Sequence, residues 1–220
     1  MIISVVTGVW KRPEVFKLFA KGIKAIPYPL NVIVVGSEKH RSRKLVEDEG
    51  FNYIEHKNRP LSNKMNAAMQ AAKGSDYVIC MGSDDIISPD LFSLYYRYMV
   101  DGYEAIGLTD LYFYELETGK AIYWGGYSDY RKGKTVGAAR CISGEVLDRW
   151  EWKAWDDNLN KYLDSSMKLD GLNLKKISLK ETNLFAVDIK SKTNITPFQQ
   201  WDNSTYIDSK IITDEFSYIL

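Results

Sequence analysis

The sequence predicts an α/β domain built on a mixed, mainly parallel sheet flanked by helices, and three observations carry that reading. Apolar, β-rich runs at Ile2 to Val9, Asn31 to Gly36, Phe51 to Glu55 and Tyr77 to Met81 alternate with helix-length segments. This β-α-β-α-β-α-β order within about 85 residues implies right-handed crossovers between parallel strands. The runs are continuously apolar rather than alternating, as expected of strands covered on both faces. The 220 residues can bury a full core as one domain with a small appended lobe.

Each element has a local reason. After the first run, Lys11-Arg12-Pro13 breaks the strand and places proline at a first helical position. Val15, Phe16, Phe19, Ile23 and Ile26 then recur at helical spacing. Pro27 and Pro29 separate this helix from the second strand. The polar segment Glu38 to Glu49 reads as an exposed helix stopped by Gly50. Leu61 to Lys73 carries Met65, Ala68, Met69 and Ala72 on one face and closes at Gly74. Beyond Pro89 the rhythm changes. Pro89 to Val100 reads as a helix, followed by strands over Glu104 to Thr109, Leu111 to Glu117 and Ala121 to Gly125, with a hairpin turn at Thr118-Gly119-Lys120. Ser143 to Trp150 is a short capped helix, and another opens at Asp164 and ends at Gly171. Asn173 to Leu179 and Leu184 to Ile189 close as strands, and the tail after Asn194 has no clear period.

Composition excludes several classes. Formal charge is zero, so no global field advertises a nucleic acid or membrane partner. A local basic bias runs through Arg131, Lys132, Lys134, Arg140, Arg149 and Lys153. No stretch approaches the ~18 apolar residues that span a bilayer. The N-terminus lacks the order of charge, apolar core and cleavage site that marks a signal peptide, and the expectation is a soluble, cytoplasmic protein. Cys80 and Cys141 have no metal-ligand spacing and read as reduced packing residues. Six Trp and fifteen Tyr exceed what a small core needs, leaving aromatic surface for a ligand cleft or for ordinary packing.

The chemistry concentrates where the run Tyr77 to Met81 stops at Gly82-Ser83-Asp84-Asp85. Adjacent carboxylates at the carboxyl end of a central strand lie where open α/β sheets bind ligands, and they suit Mg²⁺ or Mn²⁺, which take oxygen ligands and bridge to phosphates. The competing reading is a solvated acidic turn, with Ser88 capping a helix that begins at Pro89.

Four features in order carry a family resemblance: Thr7-Gly8-Val9 with Arg12-Pro13; Asn58-Arg59-Pro60-Leu61-Ser62-Asn63-Lys64-Met65-Asn66 opening a helix; Gly82-Ser83-Asp84-Asp85 with Pro89; and a later acidic helix start. Together they resemble the GT-A glycosyltransferases of the family 2 type, most closely over residues 1 to about 95. The resemblance implies a nucleotide-sugar donor, a UDP-sugar by default, across the first strands. It also implies an aspartate pair of the DxD type holding Mn²⁺ or Mg²⁺ on the diphosphate. Asp85 is then the direct metal ligand and Asp84 lies nearer the ribose. Gly82 stands where many relatives carry an acid. Thr7, Gly8 and Val9 would present backbone to base and ribose, with Arg12, Lys64, Asn66, Arg140 and Lys190 as further donor contacts. Asp188 would stand in for the late histidine that many such enzymes use, since His40 and His56 are both early.

Transfer to a hydroxyl needs a base, and the resemblance places it at a late helix start. Asp164 in Leu163-Asp164-Ser165-Ser166-Met167 is favoured over Asp157 in Trp155-Asp156-Asp157-Asn158, and inversion is expected. Either aspartate would also serve as an ordinary helix cap. Gly137-Ala138-Ala139-Arg140 resembles the small-residue stretch that passes under the donor sugar, and Trp150, Trp152 and Trp155 offer an aromatic acceptor platform. The implied division is a nucleotide-sugar half over 1–100, an acceptor and catalytic half over 101–195 and a tail over 196–220. The acceptor is open: glycan, lipid-linked, protein, small molecule or hydroxylated DNA base. A nucleotidyltransferase would carry a Gly-rich, basic triphosphate loop near its start, where Val6 to Pro13 has only Gly8. A non-catalytic nucleotide-sugar or nucleic-acid-binding module is the other alternative, but it has no use for the ordered set of Arg12, Lys64, Asp84, Asp85 and a downstream acid.

Overall fold

A computed structural model describes residues 1–194, 196–201 and 204–220; residue 195 of the second half and residues 202 and 203 of the tail lie outside it. The first half follows the expected alternation: β1 (Ile3–Gly8), α1 (Pro13–Ala25), β2 (Asn31–Gly36), α2 (His40–Glu47), β3 (Asn52–Glu55), α3 (Leu61–Ala71) and β4 (Tyr77–Cys80). Then come β5 (Asp85–Ile87), α4 (Pro89–Val100), β6 (Ala105–Leu108), β7 (Leu111–Glu115), β8 (Ala121–Trp124), β9 (Arg140–Ser143), α5 (Gly144–Arg149) and α6 (Leu163–Ser166). The chain closes with β10 (Leu174–Ile177), α7 (Leu179–Thr182), β11 (Ala186–Lys190), β12 (Thr205–Ile207) and α8 (Lys210–Glu215).

Among the described residues these strands form two sheets, one in the order β10-β6-β9-β4-β1-β2-β3 and one in the order β12-β8-β7-β11-β5. β4, β1, β2 and β3 are mutually parallel, and β9 runs antiparallel between β4 and β6. The continuous apolarity of the central strands follows from this arrangement. Val5, Val32, Val34 and Ile79 face one layer with Phe16 and Phe19 of α1 and Leu91, Phe92 and Tyr95 of α4. The residues between them, Val6, Ile33, Val35 and Val78, face the other layer with Ala68 and Met69 of α3 and Val146 and Leu147 of α5. Period-2 alternation therefore sorts the side chains to two faces that are both dry. Cutting Met69 back to alanine would cost about 2–5 kcal/mol.

Helix starts obey their local chemistry. Pro13 opens α1, with Glu14 in the first turn and Lys24 in the last. Ser88 Oγ accepts from the Leu91 N–H at 3.3 Å and Pro89 follows it, so the cap read from the sequence is present beside the carboxylates rather than instead of them.

Four expectations change. β5 lies where a turn was expected, because Ile86 and Ile87 are buried. Gly137 to Arg140 runs directly into a strand, β9, whose arginine masks a fully buried segment. The helix expected from Asp164 to Gly171 stops at Ser166, because Met167 turns extended and buries its side chain. The tail is ordered into β12 and α8: Ile212 and Phe216 are buried on the second sheet, a partner the local sequence cannot announce.

Candidate active site

The acidic centre is made by a strand pairing. β5 and β11 run antiparallel with Asp85 directly opposite Asp188, so two carboxylates about 100 residues apart in sequence lie on adjacent strands. The Ile189 N–H donates to the Asp84 carbonyl at 2.7 Å and fixes the neighbouring acid to the same strand. Carboxylate oxygens of Asp84, Asp85 and Asp188 all lie within 4.8 Å of one another.

Gly82 explains how they fit. A Cβ there would collide with the Asp84 carboxylate and crowd that of Asp85, and the Gly82 N–H donates to Asp85 Oδ2 at 2.6 Å. An acid at position 82 is thus incompatible with this arrangement, and the third carboxylate comes from β11.

Electrostatics mark this as a strained cluster. Burial, then the Asp188 and Asp84 charges, hold the Asp85 carboxyl well above the ordinary range. Burial likewise pushes Asp188 up to about 6, against the opposing pull of Lys190. Lys190 is 4% exposed and its Nζ donates to Asp188 Oδ2 at 2.6 Å. Asp188 Oδ1 is buried without a hydrogen-bond partner. The Arg12 guanidinium pairs with Asp84 Oδ2 at 2.5 Å, and Asn194 Nδ2 donates to the same oxygen at 2.7 Å.

Two adjoining lobes of one cleft share Arg12, Gly82, Asp84, Gly137 and Asp164. The first is walled by Gly8, Val9, Asn58, Lys64 and Trp155. A Cβ on Gly8 would press on Met65 Sδ at 2.9 Å, so the strand exit needs glycine to pack against α3. Lys64 is buried, with Nζ donating to the Val9 carbonyl at 2.9 Å and to Asn58 Oδ1 at 3.1 Å. Desolvation, with the Arg12 charge beside it, pushes its ammonium down to about 8.

The second lobe holds Asp188, Lys190 and an aromatic wall. Phe113 and Trp201 stack at 4.4 Å between ring centroids, and Trp124 meets Trp201 edge-on at 5.0 Å.

The other residues singled out from the sequence are distributed as follows. Thr7 is fully buried and does not line the cleft. Asn66 is spent on a two-way bond with the Trp155 backbone, donating to its carbonyl at 2.8 Å and accepting from its N–H at 3.2 Å, which ties α3 to the following loop. Arg140 holds the main chain near Asp164, donating to the Asp164 carbonyl at 3.0 Å and to the Thr135 carbonyl at 2.7 Å. Asp164 borders both lobes, and Gly137 lies so close to it that a Cβ would overlap the carboxylate. Asp157 is exposed, is 3.4 Å from Lys153 and lines neither lobe; Asp156 is exposed as well. Trp152 is core and donates to Asp148, and Trp150 packs in the same cluster, so these two do not form the aromatic platform. The aromatic wall of the second lobe comes instead from Phe113 and Trp124 on the second sheet and Trp201 in the 3-10 turn Phe198–Trp201, a grouping with no local signature.

Residues 4–147, well over half of the chain, match the family model of glycosyl transferase family 2. No curated protein matches the chain significantly. Among solved structures, Staphylococcus aureus TarS 1–349 superposes with a TM-score of 0.60 at 11% identity, over 100% of this chain and 63% of that one. The mannosyltransferase PcManGT from Pyrobaculum calidifontis, in complex with GDP-Man and Mn²⁺, gives 0.62 at 12% identity, over 87% of this chain and 58% of that one. CMP:2-keto-3-deoxy-manno-octonic acid synthetase complexed with CTP gives 0.55 at 11% identity, over 92% and 96%. The chain spans about three fifths of the length of the first two. At these identities the superpositions speak for a shared fold, the GT-A arrangement; the family match carries more, and by it the chain belongs to glycosyl transferase family 2.

Proposed function

We propose that the protein is a metal-dependent transferase that moves a sugar from a nucleotide-sugar donor, a UDP-sugar by default, to a hydroxyl acceptor with inversion. The observation that supports this most is one cleft holding three converging carboxylates, cations at Arg12 and Lys190, and a separate carboxylate, Asp164, at the junction of its lobes. An all-oxygen set suits Mn²⁺ or Mg²⁺. The unpartnered Asp188 Oδ1 and the raised carboxyls of Asp85 and Asp188 are what a cation would relieve. Asp85 and Asp188, with Asp84, would hold it, and when bound it would neutralise charge on the donor diphosphate.

The chain's own residues do the rest. Gly8 and Val9 offer backbone to the nucleoside, and Lys64, Arg12 and Lys190 face its phosphates. Trp124 and Trp201 offer an apolar face to a sugar ring. Asp164 takes the acceptor hydroxyl's proton as the oxygen bonds to the anomeric carbon and the bond to the diphosphate oxygen breaks. In this reading the first half binds the donor and the second half supplies the base. The full set of acceptors and partners belongs to this proposal as well.

The test is thermal stability against nucleotides and nucleotide sugars, each with Mn²⁺ and with EDTA. A ligand at 100 times its Kd adds about 2.7 kcal/mol, a rise of about 5–10 °C for a domain of this size. Asp85→Ala should abolish the metal-dependent rise. Asp164→Asn should keep it and remove turnover; full activity in that variant would rule Asp164 out as the base. Stabilisation by a nucleoside triphosphate alone would favour a nucleotidyltransferase instead.

A further inference from the structure

On the side of Asp164 away from the acidic centre lies a third groove, lined by Arg131, Lys134, Arg140, Lys168 and Lys176 against the carboxylates of Asp164 and Asp170. Five cations face two acids in a chain whose net charge is zero. Three of the cations are already engaged: Arg131 pairs with Asp129 at 2.8 Å, Lys176 donates to the Gly133 carbonyl at 2.6 Å, and Arg140 donates to the Asp164 and Thr135 carbonyls. Lys134 and Lys168 are exposed and form no ion pair among the described residues. Below them Arg140 and Thr135 are each 3% exposed, and Arg140 Nε and Thr135 Oγ1 are buried without hydrogen-bond partners. Tyr127 and Tyr130 complete the wall, with the Arg131 guanidinium 4.0 Å and 5.6 Å from their ring centroids.

Resting on the transferase reading above, we infer that this groove binds a phosphate group carried by the acceptor, which is therefore a phosphorylated polyol or sugar rather than a neutral glycan. Asp164 lines the donor lobe, the acidic lobe and this groove, so an acceptor anchored here by its anion presents a nearby hydroxyl to the base. Two exposed lysines without ion-pair partners, in one groove with the Arg140 and Arg131 guanidiniums, match a compact anion with several acceptor oxygens. A neutral glycan would leave those charges unmatched. A polynucleotide would call for a basic track along successive phosphates, whereas these cations converge on a single groove. Lys134 and Lys168 are thus specificity residues; the phosphate is not consumed.

The experiment is an NMR titration of the full chain at constant ionic strength, with UDP and Mg²⁺ present to fill the donor cleft, using glycerol 3-phosphate and glycerol as probes. Glycerol 3-phosphate should shift Lys134, Thr135 and Lys168 signals saturably, glycerol should not, and the Kd should weaken about tenfold or more in Lys134→Ala/Lys168→Ala. Both lysines are exposed, so the variant keeps its fold. Equal titration by the two probes, or identical titrations of variant and parent, would overturn the inference. So would a single-stranded oligonucleotide binding the groove more tightly than the sugar phosphate. Thermal stabilisation of the parent protein by UDP and Mg²⁺ is read in the same samples. Absence of stabilisation by UDP and by every other nucleoside diphosphate with Mg²⁺ would sink the transferase reading itself, whereas stabilisation without phosphate preference overturns only the acceptor inference.

Discussion

Replacing Lys64 with methionine should make the ligand-free protein more stable and its nucleotide binding weaker at once. Lys64 is 1% exposed and its ammonium is held by two neutral oxygens, with no carboxylate in ion-pair reach among the described residues. Desolvation, reinforced by Arg12, lowers it from 10.5 to about 8. At 1.36 kcal/mol per pH unit, keeping the charge at neutral pH costs the fold roughly 3 kcal/mol. Methionine keeps an apolar stem but strips the donor from the Val9 carbonyl and Asn58 Oδ1, at about 1 kcal/mol each. The net gain of ~1 kcal/mol raises Tm by about 2–4 °C. Because the folded state lowers the pKa of a base, the penalty is fully present below about pH 8 and fades as pH rises toward 10.5. The Tm difference between variant and parent should therefore shrink over that window. A bound diphosphate supplies the missing anion, so the variant should lose about tenfold in nucleotide affinity. Calorimetry near pH 8.5, repeated in buffers of different ionisation enthalpy, should show proton uptake in the parent and none in the variant. A variant that melts lower at pH 7 and binds nucleotide as before would refute the reasoning.

Gly137→Ala should drive the Asp164 carboxylate from its place, since a Cβ would overlap it; kcat should fall at least about tenfold while the nucleotide-induced Tm rise persists, and an unchanged kcat would count against Asp164 as base. In metal-free protein, Asp188 has a folded pKa raised from 3.8 to about 6 by burial, so its contribution to stability declines as pH rises through that interval. Melting curves should show the parent losing ground to Asp188→Asn over the same range and Mn²⁺ restoring it; a pH-independent difference would contradict the raised carboxyl. Trp201→Ala removes the ring stacked on Phe113, and acceptor KM should rise several-fold at constant donor affinity; equal losses in both would mean the ring only supports the fold.

How much of the site was legible depended on distance along the chain. Asp84 and Asp85 could be read because a buried strand ending in acids is a local pattern, and Arg12 and Lys64 because they flank helix starts near strand exits. Asp188 was reachable only through the resemblance, as a stand-in for a missing histidine, and its pairing opposite Asp85 is a matter of register between β5 and β11. Asn66 was read as a donor contact from its place at a helix start and Arg140 from the resemblance, yet the fold engages both with main-chain groups of other segments. Polar side chains beside a cleft and polar side chains holding its walls look alike in sequence.

The sequence by itself determined the parallel half of the main sheet, its helices and the acidic strand end, because apolar periodicity, proline and glycine act over a few residues. Tertiary structure alone decided that β9 inserts antiparallel between β4 and β6, that Phe113, Trp124 and Trp201 form the aromatic wall, and that three carboxylates from two segments converge. Those features depend on which strands pair and in what register, and the free energy that selects them comes from burying distant apolar faces together, which no short stretch of chain encodes.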